Sequence, residues 1–246
     1  MPTIPLISTI IPIRNGELFI ADAVRSIQSQ AIEIAEIHII DDGSTDGTRA
    51  IVNRLAADDR RIQIHNGPGR GPGPARNVGL NAARGDCIAF LDCDDMWPPD
   101  KLEMQLSRLQ AQPEVGMVSG FVKYFNKQDD DELAPAGDSR TEEIFHVHLG
   151  ACLYWRTVFD TVGFFDENFL YSEDVDLMLR IREAGIPFAI MDDITLFYRR
   201  HDNSMTSRLT PEEKRDFHRS LTNSLIRRKK AGNLTPFKPF RDYVGY

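Results

Sequence analysis

The sequence predicts one α/β domain, with a mostly parallel central sheet flanked by helices and a helical tail at the C-terminus. Three apolar runs, at residues 6–11, 36–40 and 88–91, have the composition of buried parallel strands, and each ends in a polar segment. Helix-period sequence lies between the first runs, and the order strand, helix, strand implies right-handed βαβ units. A chain of 246 residues with 41% hydrophobic content can bury the core that this fold needs.

The elements near the N-terminus follow from their periodicity. Apolar residues recur on one face of two helices, at Phe19, Ile20, Ala23, Val24 and Ile27 in the first and at Ala50, Ile51 and Leu55 in the second. Ser44, with Gly47 just beyond it, suits the N-cap of the second helix. The glycines and prolines at residues 67–74 predict a stiff loop leading into a short helix. This loop matches neither a Walker loop nor a dinucleotide fingerprint, so we expect it to shape a wall of the site.

The elements after the third run are less regular. Prolines at 98 and 99 open a helix with Leu102, Leu106 and Leu109 on its apolar face. Residues 117–125 read as a strand, residues 129–132 as an exposed acidic loop, and residues 194–197 as the last core strand. A helix after Ser172, its expected N-cap, has a predicted buried face of Val175, Met178, Leu179 and Ile181. Residues 227–230 give the final helix a basic end.

Composition narrows the classes of function. A formal net charge of −8 argues against a nucleic-acid partner. No stretch approaches the roughly 20 apolar residues of a membrane span, and the chain begins with a strand instead of a signal peptide, so we expect a cytoplasmic protein. Three cysteines without metal-type spacing fit a reducing compartment. Peripheral contact with the inner membrane surface remains open through the basic tail with Phe237, Phe240 and Tyr243; the oligomeric state is left open.

The third strand ends in a cluster of carboxylates at Asp92, Asp94 and Asp95. Such a cluster needs cations, and oxygen ligands suit Mg²⁺ or Mn²⁺ shared with a phosphorylated substrate. In open α/β sheets, ligands bind outside the carboxyl ends of the strands. Glu173 and Asp174 form a second acidic pair in the first turn of a helix, where acids favour the helix dipole whether or not they take part in catalysis.

Six segments, taken in order, resemble the family-2 glycosyltransferases, inverting enzymes with the GT-A nucleotide-diphospho-sugar transferase fold. The resemblance covers roughly residues 5–205. Its segments are TIIPIRN (9–15), IDDGSTD (40–46), ARNVG (75–79), FLDCDD (90–95), GFFD (163–166) and SEDVD (172–176). The resemblance implies a GT-A domain at 1–205, with a nucleotide-binding half at 1–115 and an acceptor-binding half at 116–205, followed by a helix and tail at 206–246.

The resemblance also implies roles for individual residues at the donor end. Asp94 holds a divalent cation, Mn²⁺ or Mg²⁺, that bridges the diphosphate, and Asp92 approaches the ribose. Asp42 recognises the base; a uracil N3–H needs an acceptor, which favours a UDP-sugar donor. Arg76 lies beside the nucleotide. The remaining nucleotide-binding residues are Pro12, Arg14 and Asn15, although relatives often carry an aromatic residue where Arg14 stands.

At the acceptor end, the resemblance makes Asp174 the general base that deprotonates an acceptor hydroxyl. Glu173 contacts or orients the acceptor, which would be a glycan, a lipid-linked sugar or another hydroxyl compound. Trp155 is a candidate for stacking on an acceptor sugar, with core packing as the other interpretation. His201 is a candidate third metal ligand, and an ordinary loop histidine is its alternative.

Two other classes of function stay open. A phosphohydrolase would use Asp92 as nucleophile and Asp94 as acid, although the position of the motif on a later strand argues against it. A non-catalytic glycan-binding or nucleotide-binding module would keep the fold without the chemistry. A nucleotidyltransferase is disfavoured because the chain lacks a glycine-rich basic loop after its first strand.

Overall fold

A computed structural model describes residues 4–126, 148–201 and 210–239. Its centre is a seven-stranded sheet in the order β3-β2-β1-β4-β6-β5-β7. The strands are β1 (Ile7–Ile13), β2 (Glu36–Asp41), β3 (Ile62–Asn66), β4 (Cys87–Phe90), β5 (Met117–Asn126), β6 (Leu153–Trp155) and β7 (Phe188–Arg200). Only β6 runs antiparallel to its neighbours, β4 and β5. The predicted α/β fold with a mostly parallel sheet is therefore confirmed.

Helices cover both faces of this sheet. They are α1 (Ile20–Gln28), α2 (Thr48–Asp58), α3 (Pro72–Ala82), α4 (Lys101–Ala111), α5 (Thr157–Val162), α6 (Glu173–Glu183) and α7 (Pro211–Lys230). Apolar residues of α1, α2 and α4 pack on one face, and those of α3, α5 and α6 pack on the other. Strand residues alternate between the two cores: Ile11 faces the first and Ile10 the second.

Helix α3 lies unusually close to the sheet because of one glycine. A Cβ atom at Gly79 would lie 2.5 Å from Cγ2 of Ile10 in β1. The helix can therefore approach β1 only without a side chain at this position. This close approach carries Arg76, one turn earlier on α3, to the end of the sheet where β1 and β4 finish.

The N-terminal ends of α2 and α3 differ from their prediction. Ser44 is not the N-cap of α2; its Oγ instead accepts the backbone N–H of Asn15. Asp46 instead provides an acceptor for a free backbone amide at the N-terminus of α2: its Oδ1 accepts the N–H of Thr48 at 3.0 Å. Helix α3 begins at Pro72, inside the glycine and proline run, because proline suits the first turn of a helix.

The buried face of α6 agrees with its prediction in part: Met178 and Ile181 are buried as expected. Ser172 precedes the helix in a left-handed conformation, with φ of 60°, and its side chain makes no capping hydrogen bond. Val175 and Leu179 are partly exposed, whereas Leu177 is buried. Two acids of this helix, Glu173 and Asp176, share the buried face through ion pairs with Arg76 and Arg180.

Two further expectations concern the second half of the chain. Strand β7 is much longer than predicted, at 13 residues, and the acidic run at 129–132 lies outside the described residues. Helix α7 has 20 residues, yet it is strongly polar. No helix within the described ranges combines the length and the apolar character of a membrane span.

Candidate active site

A cleft of about 1050 Å³ opens at the carboxyl ends of β1, β2 and β4. Ten of the predicted site residues line it: Pro12, Arg14, Asn15, Asp42, Arg76, Asp92, Asp94, Glu173, Asp174 and His201. Side chains separated by up to 189 positions in sequence (Pro12 to His201) thus share one cavity. They meet because parallel strands deliver their terminal residues to the same edge of a sheet.

Trp155 is the predicted site residue that does not line the cleft. It pairs with Cys87, the first residue of β4, and therefore sits at the opposite end of the sheet. There it borders a separate shallow pocket with Val115 and Pro187. Because β6 runs antiparallel, its last residue points away from the site. The prediction that Trp155 contacts an acceptor in this cleft is wrong, and the fully buried Tyr154 beside it packs in the core.

Asp42 fixes the glycine and proline loop that forms one wall of the cleft. Its Oδ1 accepts the N–H of Gly69 at 2.7 Å, and its Oδ2 accepts the N–H of Gly71 at 2.8 Å. Gly71 has φ of 98°, a conformation that favours glycine. A carboxylate oxygen with one such bond keeps a second lone pair, so Asp42 can still accept a hydrogen bond from a ligand.

The loop after β1 is tied to the loop after β2. Asn15 has φ of 55°, and its Oδ1 accepts the N–H of Thr45 at 2.8 Å. Arg14, directly before it, is exposed at the cleft wall. The hydrogen bond between the two loops thus places the exposed Arg14 guanidinium at the cleft beside a tied turn.

Arg76 joins the two acidic motifs. Its Nη2 donates to Asp92 at 2.6 Å and its Nη1 donates to Glu173 at 2.5 Å. Burial lowers the pKa of Arg76, but the Asp92 and Glu173 carboxylates outweigh burial and raise it. Burial likewise raises the pKa of Asp92, yet Arg76 brings it below its ordinary value. Arg76 therefore stays charged and keeps Asp92 ionised.

Glu173 behaves differently from its partner Asp92. It is 6% exposed, and burial raises its pKa to about 7, although the Arg76 guanidinium opposes that shift. The neighbouring Asp174 is less buried, lines the cleft, and accepts the N–H of Val175 at 2.7 Å. The two adjacent acids thus differ in burial. Glu173 is buried and held by Arg76, whereas Asp174 is more accessible from the cavity.

Asp94 and His201 are brought together, although 107 residues separate them. His201 Nε2 lies 3.0 Å from Asp94 Oδ2, and the imidazole ring lies 4.6 Å from the ring of Phe19. Burial and the nearby Asp92 carboxylate raise the pKa of Asp94, while His201 opposes the rise. A cation bound beside Asp94 would therefore stabilise the ionised form of its carboxylate.

Asp95 belongs to a second cluster of possible metal ligands, beside Asp92 and His148. Ligand atoms of Asp92, Asp95 and His148 all lie within 4.8 Å of one another, as a metal site requires. Asp95 is 1% exposed; its Oδ1 accepts the N–H of Arg199 at 2.9 Å, and its Oδ2 has no partner among the described residues. Burial, with Asp94 and Asp92, raises the pKa of Asp95 well above its ordinary value.

Sequence reasoning missed the contributions of His148 and of α7 to the cleft. His148 belongs to no motif and arrives just before a 3-10 turn at Leu149–Ala151. Lys214 and Phe217 of α7 also line the cavity. No sequence motif marks either His148 or the α7 residues. Both come to the cleft through long-range packing in the second half of the chain.

Comparison with known proteins gives consistent matches. The chain fits the model described as glycosyl transferase family 2 over residues 8–165. Bacillus subtilis TuaG, whose name gives a provisional role as a teichuronic acid biosynthesis glycosyltransferase, is 44% identical over 210 residues, 82% of either chain. Escherichia coli WfaP, named UDP-Glc:alpha-D-GlcNAc-diphosphoundecaprenol beta-1,3-glucosyltransferase, is 31% identical over 82% of this chain and 80% of its own.

Two other curated proteins match less completely: with one, from Haemophilus influenzae, the match covers 42% of each chain, and with the other, Bacillus subtilis EpsJ, it covers 82% of this chain and 63% of the relative. Among solved structures, S. aureus TarS 1-349 in complex with UDP-GlcNAc has a TM-score of 0.73 at 20% identity, over 90% of this chain and 66% of that one. The likeness to TarS shows a shared fold.

Proposed function

The chain belongs to glycosyl transferase family 2, and we propose that it is a metal-dependent, inverting enzyme that moves a sugar from a UDP-sugar to an acceptor hydroxyl. The observation that carries this proposal is the meeting of Asp42, Asp94 and Asp174 in one cleft, which Arg76 also lines. Each carboxylate has a different environment, and the transfer needs carboxylates for three different tasks. The nucleotide half would comprise residues 1–115, and the acceptor half residues 116–205.

The nucleotide end of the reaction falls to the loops after β1 and β2. Asp42 would accept the N3–H of a uracil, and Arg14 would cover the base with its guanidinium plane. Pro12 and Asn15 complete this wall, and Asp92 would receive the ribose. TarS, which shares this fold, was crystallised in complex with UDP-GlcNAc, and this supports a UDP-sugar donor here.

The residues present suit a divalent cation. Asp94 and His201 would hold it, since carboxylate oxygens and one imidazole are acceptable ligands for Mn²⁺ and, less well, for Mg²⁺. The unpartnered buried oxygen of Asp95 supports the presence of positive charge in this region. When bound, the cation would stabilise the negative charge that develops on the departing nucleoside diphosphate.

Asp174 would act as general base. Its carboxylate takes the proton from the acceptor hydroxyl as the hydroxyl oxygen attacks the anomeric carbon, and the bond to the diphosphate breaks on the opposite side. One displacement of this kind inverts the configuration of that carbon. Arg76 would keep Glu173 in place beneath Asp174, so Glu173 orients the base and the acceptor.

The acceptor would be a glycan or a lipid-linked sugar. WfaP is named for transfer to a diphosphoundecaprenol-linked sugar, and this relative supports a lipid-linked acceptor. Because Trp155 lies outside the cleft, stacking on an acceptor sugar falls to Tyr171 and Phe217, which line it.

The test compares Asp174→Asn with Asp176→Asn, two positions apart on α6. Asp176 is bonded to Arg180 and Arg227 away from the cleft. We expect Asp174→Asn to keep its UDP affinity and to lose transfer by roughly 10²-fold to 10⁴-fold, while Asp176→Asn retains transfer per folded molecule. Near-normal turnover by Asp174→Asn would refute its role. Hydrolysis of an aryl phosphate would favour the phosphohydrolase, and glycan binding without donor turnover would favour the binding module.

A further inference from the structure

Helix α7 packs with its polar side toward the body of the protein. Its buried residues are Asp216, Ser220 and Ser224. Asp216 Oδ2 accepts the backbone N–H groups of Leu170 and Tyr171 at 3.1 and 3.2 Å. Surface helices of globular proteins normally bury their apolar stripe. Here the buried stripe is the hydrophilic one.

Ion pairs reinforce this arrangement at the other end of the helix. Arg227 donates to Glu183 at 2.6 Å through Nε and to Asp176 at 3.1 Å through Nη1. Arg219 donates to the backbone oxygen of Asn168 at 2.6 Å. These bonds hold α7 against the body of the protein and fix its rotation about its own axis. The direction in which its apolar side faces is therefore fixed.

The apolar side of α7 faces outward. Phe217, Leu221 and Leu225, which we name the outer stripe, are 44%, 43% and 56% exposed. They are spaced four residues apart and so form one continuous line along the helix. Two other exposed apolar side chains, Leu18 and Leu170, line the cleft together with Phe217. A contiguous apolar patch of this kind marks an interaction surface.

Cations flank the outer stripe. At about 3.6 residues per turn, Lys214, Arg228 and Lys229 lie on the same side of α7 as the stripe. No acid follows Asp216 within the helix, although the whole chain carries a formal net charge of −8. The local charge is thus opposite in sign to that of the protein.

We propose that the outer stripe and its cations dock α7 on an anionic lipid bilayer. A helix with apolar residues and lysine or arginine on one exposed side lies in the plane of a membrane interface, where it gains both apolar burial and attraction to anionic headgroups. Charge decides the occupant: the flanking cations attract an anionic surface, whereas they repel the same cations of a second copy.

The docking side of α7 is continuous with the cleft. Lys214 and Phe217 belong to the exposed side of the helix and also line the cavity, with Leu18 and Leu170 at its mouth. A docked protein would present this mouth to the headgroup region, where a lipid-linked acceptor carries its sugar. This last step rests on the proposed function, but docking itself does not.

Of the aromatic residues expected from the sequence to contact a membrane, Phe237 is among the described residues. The ring of Phe237 packs against the guanidinium groups of Arg182 and Arg228, at 4.4 and 4.2 Å. Phe240 and Tyr243 lie outside the described residues. The proposal therefore rests on the helix, whose residues are described.

The test is flotation of the full chain with vesicles of phosphatidylcholine, with and without phosphatidylglycerol. We expect binding only to the anionic vesicles. Leu221→Gln/Leu225→Gln should lower the partition coefficient about 30-fold through lost apolar burial. Lys214→Gln/Lys229→Gln should lower it by a similar factor through lost headgroup attraction. Circular dichroism checks that each variant is folded.

Matched controls come from other faces of the protein. Ile4→Gln/Leu6→Gln removes apolar side chains that are 77% and 56% exposed, and Arg54→Gln/Arg60→Gln removes two exposed cations. Both should bind vesicles like the wild type. Equal binding by the stripe variants, or no binding by the wild type, would overturn the proposal.

Light scattering tests whether a second copy of the chain, instead of a membrane, covers the outer stripe. A wild-type dimer that Leu221→Gln/Leu225→Gln converts to a monomer would make the stripe an interface between copies and overturn membrane docking. Transfer to a soluble acceptor reports on the proposed function separately. Vesicle binding that survives in a chain without transferase activity would leave docking supported and refute only the reaction.

Discussion

Replacement of Glu173 by glutamine should change how the stability of the protein depends on pH. Burial raises the pKa of Glu173 to about 7 in the folded protein, against 4.5 in an ordinary glutamate. Between these values the unfolded chain has already released the proton while the folded protein still holds it. The free energy of unfolding contributed by this group is therefore fully present below pH 4.5 and declines as pH rises toward 7.

The magnitude follows from the two pKa values. A difference between about 7 and 4.5 corresponds to roughly 3 kcal/mol of unfolding free energy. The side chain is 8% exposed, so little of this amount is lost to solvent screening. Arg76 can donate to either protonation state of Glu173, and the ion pair is therefore a smaller influence on the slope than burial.

Urea unfolding of the wild type and of Glu173→Gln, in steps from pH 4.5 to 8 without metal, measures this effect. Glutamine does not titrate, so the wild type should lose roughly 3 kcal/mol relative to the variant across this range. Glu103→Gln, which removes an exposed carboxylate from α4, supplies the baseline. A constant difference at all pH values, or a wild type that gains stability as pH rises, would refute the reasoning.

Three further substitutions have distinct expected outcomes. Asp42→Ala leaves two loop amides without an acceptor, so chemical denaturation should show a loss of about 2 to 4 kcal/mol, and unchanged stability would refute its role in the wall. Asp176→Asn removes one charge from a buried ion-pair group and should cost about 2 kcal/mol in the same measurement; UDP affinity measured alongside should be unaltered. Lys101→Met removes a buried amine whose pKa burial lowers to about 7. Because the unfolded chain binds more protons there, the wild type should gain about 2 kcal/mol over the variant from pH 7 to 9, and parallel curves would contradict this.

The first half of the fold was predictable because its physics is local. Buried parallel strands are continuous apolar runs, and the polar residues that end them must meet at one edge of the sheet. Asp42, Asp92 and Asp94 were therefore located from the sequence alone. Arg76 was assigned only through the resemblance to the family, because its two ion pairs with acids 16 and 97 residues away carry no local signal.

The second half was less predictable because its arrangement depends on long-range contacts. The direction of β6 decides which end of the sheet Trp155 occupies, and three strand residues do not encode that direction. In α6, acids held by ion pairs share the buried face with Met178 and Ile181, and in α7 the buried residues are Asp216, Ser220 and Ser224, so apolar periodicity gives the wrong face of α7. Phe217 and Leu221 would be assigned to the core from the sequence, yet they face outward.

Calorimetric titration of UDP, with and without Mn²⁺, into the wild type and Asp94→Ala measures metal-dependent donor binding. The wild type should bind UDP only with Mn²⁺, in preference to GDP and dTDP, and Asp94→Ala should lose this metal-dependent binding. UDP binding of equal strength without metal, or unchanged binding by Asp94→Ala in Mn²⁺, would contradict this prediction.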